Sequence, residues 1–560
     1  MGRTLNFFES SELEATGTGE TTKRPVLAVE MLAPALGWLI GLLIMAWPTL
    51  STGFARVQGG LGDSRLLNFS LEHSYRWLMG MPLAESLWSP PIFYPVQNVA
   101  TYTDLMLGVA PFYWPWRWLA FDPHTSYQLW MLVCWTLNFL CCHLLLRRGF
   151  RISAIGSSVG AYLFTFGSPR YMSMAHQQLV PQFWLILSLA GVIMMFRQPT
   201  RPSSARRWIA SCAFWGGLVA QLYSAVYPLA FFALGLAAST ALALVVPEMR
   251  TAAISAIKDH AVPILAVGLI AVGLAAPLTV RYRETAEVVG MRGRANIHLP
   301  KPLSWLLPGD SNRVYGKIQQ SWDLAEYQGF SQTNGVGAVT LVLCVAGLWL
   351  ARRRPEVQLI VAGFAGLILL TVTWPGGWSL WWVVRELVPG SAALRAVARV
   401  GLMALFPAAV GLAFFVNNLA TRRRWIIGAV LVVVVAAEQL HRRPSFDKAA
   451  AVGRVERIAT EVPVGAHAFL LVINGPSWDN YLHDDAAWAA LSAGVPTVNG
   501  RYGHFPPDYP FRTPRIQGPE DRGEFRNTLE TWVMYGGGDP VGATMIEVAP
   551  RPQRHRPTEK

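Results

Sequence analysis

Apolar runs of about 20 residues, the length that crosses a bilayer core, recur along the chain near 31–50, 125–146, 153–168, 177–196, 208–224, 226–246, 260–280, 335–351, 357–374, 399–417 and 425–441. The pattern predicts about eleven membrane spans. Residues 105–120 are apolar as well, but two prolines and three tryptophans within them mark an interfacial or re-entrant piece rather than a further span. Between the runs, one polar stretch has a period of its own. Arg65, Asn68, Glu72 and Arg76 form one stripe at helical spacing, and Leu67, Leu71, Tyr75 and Leu78 form another. That spacing predicts an amphipathic helix lying along the membrane surface, its leucines among the headgroups and its polar stripe, with Arg65 and Glu72, turned toward water or a substrate cavity.

Basic residues orient the spans. Arg147, Arg148 and Arg151, then Arg197, Arg201, Arg206 and Arg207, then the triplets at 352–354 and 422–424, fall in loops on one side. The positive-inside rule makes that side cytoplasmic, with residues 1–30 a cytoplasmic tail and the C-terminus outside. The tail is polar and does not resemble a cleavable signal peptide. A membrane domain over 31–441 then carries outer loops at 51–124 and 281–334, and residues 442–560 form an outer domain. Loops of such length are where function concentrates. In the last segment a short buried strand is expected over 468–475, a helix over 485–492 and a second strand over 494–500, which makes a small α/β domain.

Composition agrees with the membrane reading. Of 560 residues 52% are hydrophobic and only 14% charged, against roughly 25% charged in soluble domains. The net charge of +13, from 47 basic and 34 acidic residues, is mostly orientation signal and does not point to nucleic acid. The five cysteines sit in apolar stretches without metal or disulfide spacing.

Candidate chemistry gathers outside. Asp63 opens the amphipathic helix and reads either as its N-cap or as a general base for an incoming hydroxyl. In the 281–334 loop, seven basic residues face five acids, and Arg281 or Arg283 could clamp a lipid phosphate. Arg395 and Arg399, before the 399–417 span, are further candidates for the same phosphate. His176 and Gln177 could hydrogen-bond a sugar or acceptor, or simply mark a polar helix end. His483, Asp484 and Asp485 read as an acid-rich helix start favoured by the dipole, and Tyr502, His504, Phe505 and Tyr509 as a carbohydrate-contacting edge.

The succession Gly62-Asp63-Ser64-Arg65-Leu66-Leu67-Asn68, then Trp88-Ser89-Pro90-Pro91, then Asp122-Pro123 before a span, resembles polytopic GT-C-type glycosyltransferases, in particular bacterial YfhO-like membrane proteins. Glu326-Tyr327-Gln328-Gly329-Phe330 resembles the Glu-containing entry to a helix in those proteins, which adds Glu326 as a substrate-contacting candidate. The resemblance implies Asp63 as catalytic base, a polyprenyl-phosphate sugar as donor, and inverting transfer on the outer face of a bacterial cytoplasmic membrane to a glycan, lipid or protein acceptor. The first loop has no Asp-x-Asp or Glu-x-Asp, so the metal site of the oligosaccharyltransferase branch has no matching residues, and neither a metal nor another cofactor is expected. A transporter or flippase of a lipid-linked saccharide, and a non-catalytic envelope-assembly protein, are the rival readings.

Overall fold

The computed structural model describes residues 23–197, 203–290, 297–321, 332–421, 425–442, 444–475 and 477–551. The chain divides into two compact units, one of Met1–Leu50, Trp130–Pro277 and Met291–Arg443, the other of Ser51–Leu129, Leu278–Gly290 and Pro444–Lys560.

The first unit is helical and apolar. Among the described residues, the helices Pro123–Gly149, Gln177–Phe196, Val226–Val245, Pro247–Val289 and Val397–Leu419 are long and apolar enough to cross a membrane, with the unit boundary falling inside two of them. The pair Pro355–Thr371 and Pro375–Leu387, bent by 90°, adds a sixth if it is one span. The chain is therefore an α-helical polytopic membrane protein, with fewer helices of full spanning length than the eleven apolar runs. The shortfall has a local cause. Ala154–Phe166 and Ala338–Leu350 are 13 residues each, about 20 Å of helix against a core of about 30 Å. Conversely, Pro247–Val289 runs 43 residues, past the expected span at 260–280. It continues because Arg281–Glu284 at 3.0 Å and Arg283–Glu287 at 2.8 Å pair along its surface at helical spacing. It ends where Gly290 takes a φ of +77°.

Close packing in this unit uses small residues. A Cβ on Gly347 would meet the Gly411 carbonyl oxygen at 1.7 Å, so the helices Ala338–Leu350 and Leu405–Thr421 touch backbone to backbone there. Glu438 caps a neighbouring helix. Its carboxylate accepts from the Val339 and Thr340 amides at 2.9 and 2.7 Å, from the Thr340 hydroxyl at 2.7 Å, and from the Tyr315 hydroxyl. It thereby satisfies first-turn donors of Ala338–Leu350 that would otherwise be orphaned. Glu438→Ala should lower the stability of the purified chain by about 1–3 kcal/mol, read as a fall in thermal unfolding temperature; an unchanged temperature would remove the capping account.

The second unit is built on a parallel sheet in the order Arg515–Ile516, Ala468–Asn474, Ala543–Val548. The central strand is buried from Ala468 to Ile473, as its unbroken apolar run predicts. Helices Lys448–Glu461, Leu482–Ala493 and Pro519–Tyr535 belong to the same unit. The 494–500 segment is not the second strand expected. It makes a single bridge, Phe469 to Thr497, and the Asn499 side chain replaces a strand partner: its oxygen accepts from the Leu471 amide at 2.6 Å and its amide donates to the Leu471 carbonyl at 2.9 Å.

Residues 51–124 share this core with the tail. Phe69, Ile92, Phe93, Val99 and Tyr102 pack in one cluster with Phe469, Leu471, Trp488, Val498 and Phe511. Arg56–Gln58 pairs antiparallel with Ser445–Asp447. Two residues expected at a carbohydrate edge belong to the core instead: Tyr502 and Tyr509 are buried, with ring centroids 6.2 and 5.2 Å from Phe93. Burying large rings outweighs leaving them free for a ligand.

Candidate functional site

The Asp63–Leu78 helix has Gly62 at its cap position, with no side-chain capping bond. Asp63 is thus the first helical residue rather than the N-cap. Its Oδ1 accepts from Arg501 Nη2 at 2.9 Å, and the two side chains are 34% and 27% exposed. The same Nη2 lies 3.3 Å from Oδ2 of Asp484, whose side chain is 1% exposed. Glycine at 62 permits this close approach, because a Cβ there would sit 2.9 Å from Arg501 Nη2 and 3.3 Å from the Tyr481 ring.

The rest of the helix departs from the membrane-surface expectation, since members of both stripes are buried. Arg65 and Glu72, expected to contact substrate, are fully enclosed and already engaged. Arg65 Nη1 donates to Asp485 Oδ1 at 2.6 Å. Glu72 accepts from Arg76 at 3.1 Å, from Arg117 at 2.8 and 3.2 Å and from the Tyr113 hydroxyl at 2.8 Å. Charges taken out of water must be paired, and the pairing tethers residues 113–117 and the tail to this helix. Trp488 adds to the same contact, donating to the Arg65 carbonyl at 3.2 Å and packing edge-on to Phe69 at 6.1 Å.

Asp484 and Asp485 are more than an acid-rich helix start. Asp485 receives Arg65 and Arg551 at 2.6 Å each and Arg454 at 2.7 Å. Asp479 is 3.3 Å from Arg454. Burial works to raise the Asp485 carboxyl, but Arg65, Arg551 and Arg454 outweigh it and hold that carboxyl below the ordinary range. Asp484, its neighbour in sequence, goes the other way: burial, only partly offset by Arg501 and Arg65, pushes it up to about 7. Among the described residues no group of three or more His, Cys, Asp or Glu is arranged to hold a metal ion; the clustered aspartates face guanidinium groups.

The phosphate-binding candidates separate. Arg281 and Arg283 are in the second unit, on a helix rather than in a loop. Arg281 pairs with Glu284 and lies 5.7 Å from the Trp88 ring centroid, while Arg283 pairs with Glu287 and is largely exposed. In the first unit, His176 and Arg399 line one small polar cavity with Ser173, Thr333 and Asn334. Leu402 borders both that cavity and an apolar groove walled by Leu185, Phe231, Phe364, Leu367 and Phe406. Arg395 is exposed, and Gln177 is buried without lining the cavity. Glu326 lies outside the described residues. Arg170 was not anticipated by sequence reasoning: fully buried, it donates to the Phe164 and Val180 carbonyls and to Gln182 Oε1 at 3.1, 2.8 and 3.1 Å. A lone arginine in a short outer loop gives no local sign of such burial.

No family model matches the chain, and no curated protein matches it. Among solved structures it is similar to the arabinofuranosyltransferase AftD from Mycobacteria, with 15% identity and a TM-score of 0.49 over 84% of this chain and 31% of AftD. It is similar also to the oligosaccharyltransferase of Archaeoglobus fulgidus, with 13% identity and a TM-score of 0.46 over 93% of this chain and 69% of the other. A third is ArnT from Cupriavidus metallidurans bound to undecaprenyl phosphate, with 12% identity and a TM-score of 0.35 over 85% and 90%. The chain spans less than a third of AftD.

Proposed function

We propose that this membrane protein is an inverting GT-C-type glycosyltransferase that moves a sugar from a polyprenyl-phosphate donor to an acceptor hydroxyl on the outer face of the cytoplasmic membrane. The observation that carries the reading is Asp63: a partly exposed carboxylate at the start of an otherwise buried helix, held in place by Arg501. Asp63 takes the proton of the acceptor hydroxyl. The hydroxyl oxygen bonds to the anomeric carbon as that carbon's bond to the phosphate oxygen breaks, and the electron pair leaves with the polyprenyl phosphate. One in-line displacement inverts the anomeric centre. Within the first unit, an apolar groove and a cavity lined by Arg399 and His176 share Leu402, a lining that suits a long-chain lipid phosphate.

The test is reconstitution of the whole chain in vesicles with a polyprenyl-phosphate sugar and hydroxyl acceptors drawn from glycans, lipids and peptides. Release of polyprenyl phosphate coupled to acceptor glycosylation, with inverted anomeric configuration by NMR, is the expected result. Movement of the lipid-linked sugar between leaflets without transfer would replace this reading with a flippase. Gly62→Ala bears on the same centre. The added methyl displaces Arg501, a flexible side chain, so stability should change by less than about 1 kcal/mol. Turnover should fall by about tenfold, because small misplacements of reacting groups are costly. Native turnover in this variant would mean that Arg501 does not position Asp63.

A further inference from the structure

Asp484, in the second unit, is a buried acid that the proposed transfer does not use. Asp484 is 2% exposed, and neither of its carboxyl oxygens is hydrogen-bonded among the described residues. Its approach to Arg501 Nη2, at 3.3 Å, is a longer ion contact than the 2.9 Å between Arg501 and Asp63. A buried ionised carboxyl without hydrogen bonds is costly, and such a group keeps its proton instead.

We infer that Asp484 is a proton-holding positioning residue: protonated, it leaves Arg501 to Asp63 alone, and ionised, it draws the guanidinium inward and loosens the hold on Asp63. This rests on the reading of Asp63 as the base and gives that base a control. One guanidinium nitrogen stands between the two carboxyls, 2.9 Å from Asp63 and 3.3 Å from Asp484, so charge on one competes directly with charge on the other.

The charged groups around Asp484 come from every neighbouring element. Arg65 and Asp63 face it from the Asp63–Leu78 helix, Arg501 from the loop that follows its own helix, and Asp485 from the next position in sequence. Arg454, from Lys448–Glu461, and Arg551 are committed to Asp485. His483, driven down to about 4 chiefly by burial, stays neutral across the range in question. Asp484 is pushed up to about 7, whereas Asp485 is held low by its three arginines. The change of charge near neutrality therefore belongs to Asp484.

Infrared titration of the whole chain in lipid nanodiscs reads the proton directly. A protonated-carboxyl C=O band should be present on the acid side and fade with a midpoint of about 7; it should be lost in Asp484→Asn. In Arg501→Gln the midpoint should rise, because the attraction that favours ionisation is gone. This arm keeps the test decisive should Asp484→Asn fail to fold. A band that persists unchanged in Asp484→Asn, or a midpoint indifferent to Arg501→Gln, would overturn the inference. Transfer rate should fall as pH rises across the same interval in the native chain, as Arg501 is drawn off Asp63, and be flat there in Asp484→Asn. Should Asp63→Asn retain transfer, the base reading falls while the infrared titration still decides whether Asp484 holds the proton.

Discussion

Asp63→Asn should lower transfer turnover by about 10²- to 10⁴-fold, the range that a positioned general base contributes, with little change in donor KM. Asparagine keeps the size of the side chain and an oxygen that accepts from Arg501 Nη2, now 2.9 Å from Asp63; what it lacks is a site for the proton. Asp63 is partly exposed, so removing its charge leaves no unpaired buried anion, and thermal stability should stay near native. A turnover loss without a KM change marks an interaction made only in the transition state. Steady-state kinetics with a lipid-linked donor, beside a thermal unfolding curve, separates the outcomes. Near-native turnover would return Asp63 to the role of a helix-start acid, and a collapsed unfolding temperature would make it structural.

Asp485→Ala should produce the largest stability loss, about 3–5 kcal/mol, because breaking a buried ion pair strands the remaining charge. Asp485 is the meeting point of three guanidinium groups, and the Arg65 side chain is 0% exposed. Removing Asp485 leaves Arg65 without its carboxylate. Replacing both members, Arg65→Met with Asp485→Leu, should cost less than Asp485→Ala alone, since the fully buried Arg65 charge is then not stranded and Arg454 and Arg551 still reach Asp479 at 3.3 and 3.6 Å. Thermal unfolding and limited proteolysis of the whole chain measure the ordering; a double variant less stable than the single one would contradict it. Neighbouring acids also give opposite pH trends. Asp485, held low when folded, contributes stability above its unfolded value of about 3.9 that is lost as pH falls through the folded value. Asp484, raised when folded, contributes stability below about 3.9 that is lost as pH climbs toward about 7.

The apolar runs and the Asp63–Leu78 helix are periodic features, and both are found in the structure because periodicity is a local property of the chain. The buried strand Ala468–Asn474 was readable for the same reason. What neither period nor composition carries is the partner of a polar group. Arg65 and Asp485 are 420 positions apart, and nothing near either one distinguishes a buried ion pair from a solvated stripe or a dipole-favoured helix start. Arg281 and Arg283 misled in the opposite direction: basic residues after an apolar run suggested a loop, yet their acids at 284 and 287 were placed to continue the helix. The helix starting at Asp63 was readable in the sequence. Arg501 and Asp484 beside it were not.

The contact between Asp63 and Arg501 closes over 438 positions, and that separation sets a clock. At about 5–20 residues per second, roughly 20–90 s pass between synthesis of the carboxylate and synthesis of the arginine that holds it. During that interval Glu72 can find Arg76, Tyr113 and Arg117, all made soon after it, whereas Arg65 and Asp63 wait for the last segment. A nascent chain arrested before position 501 therefore has Asp63 but not the arginine that pairs with it, and on the proposed reading it should show no transfer until the tail has been made.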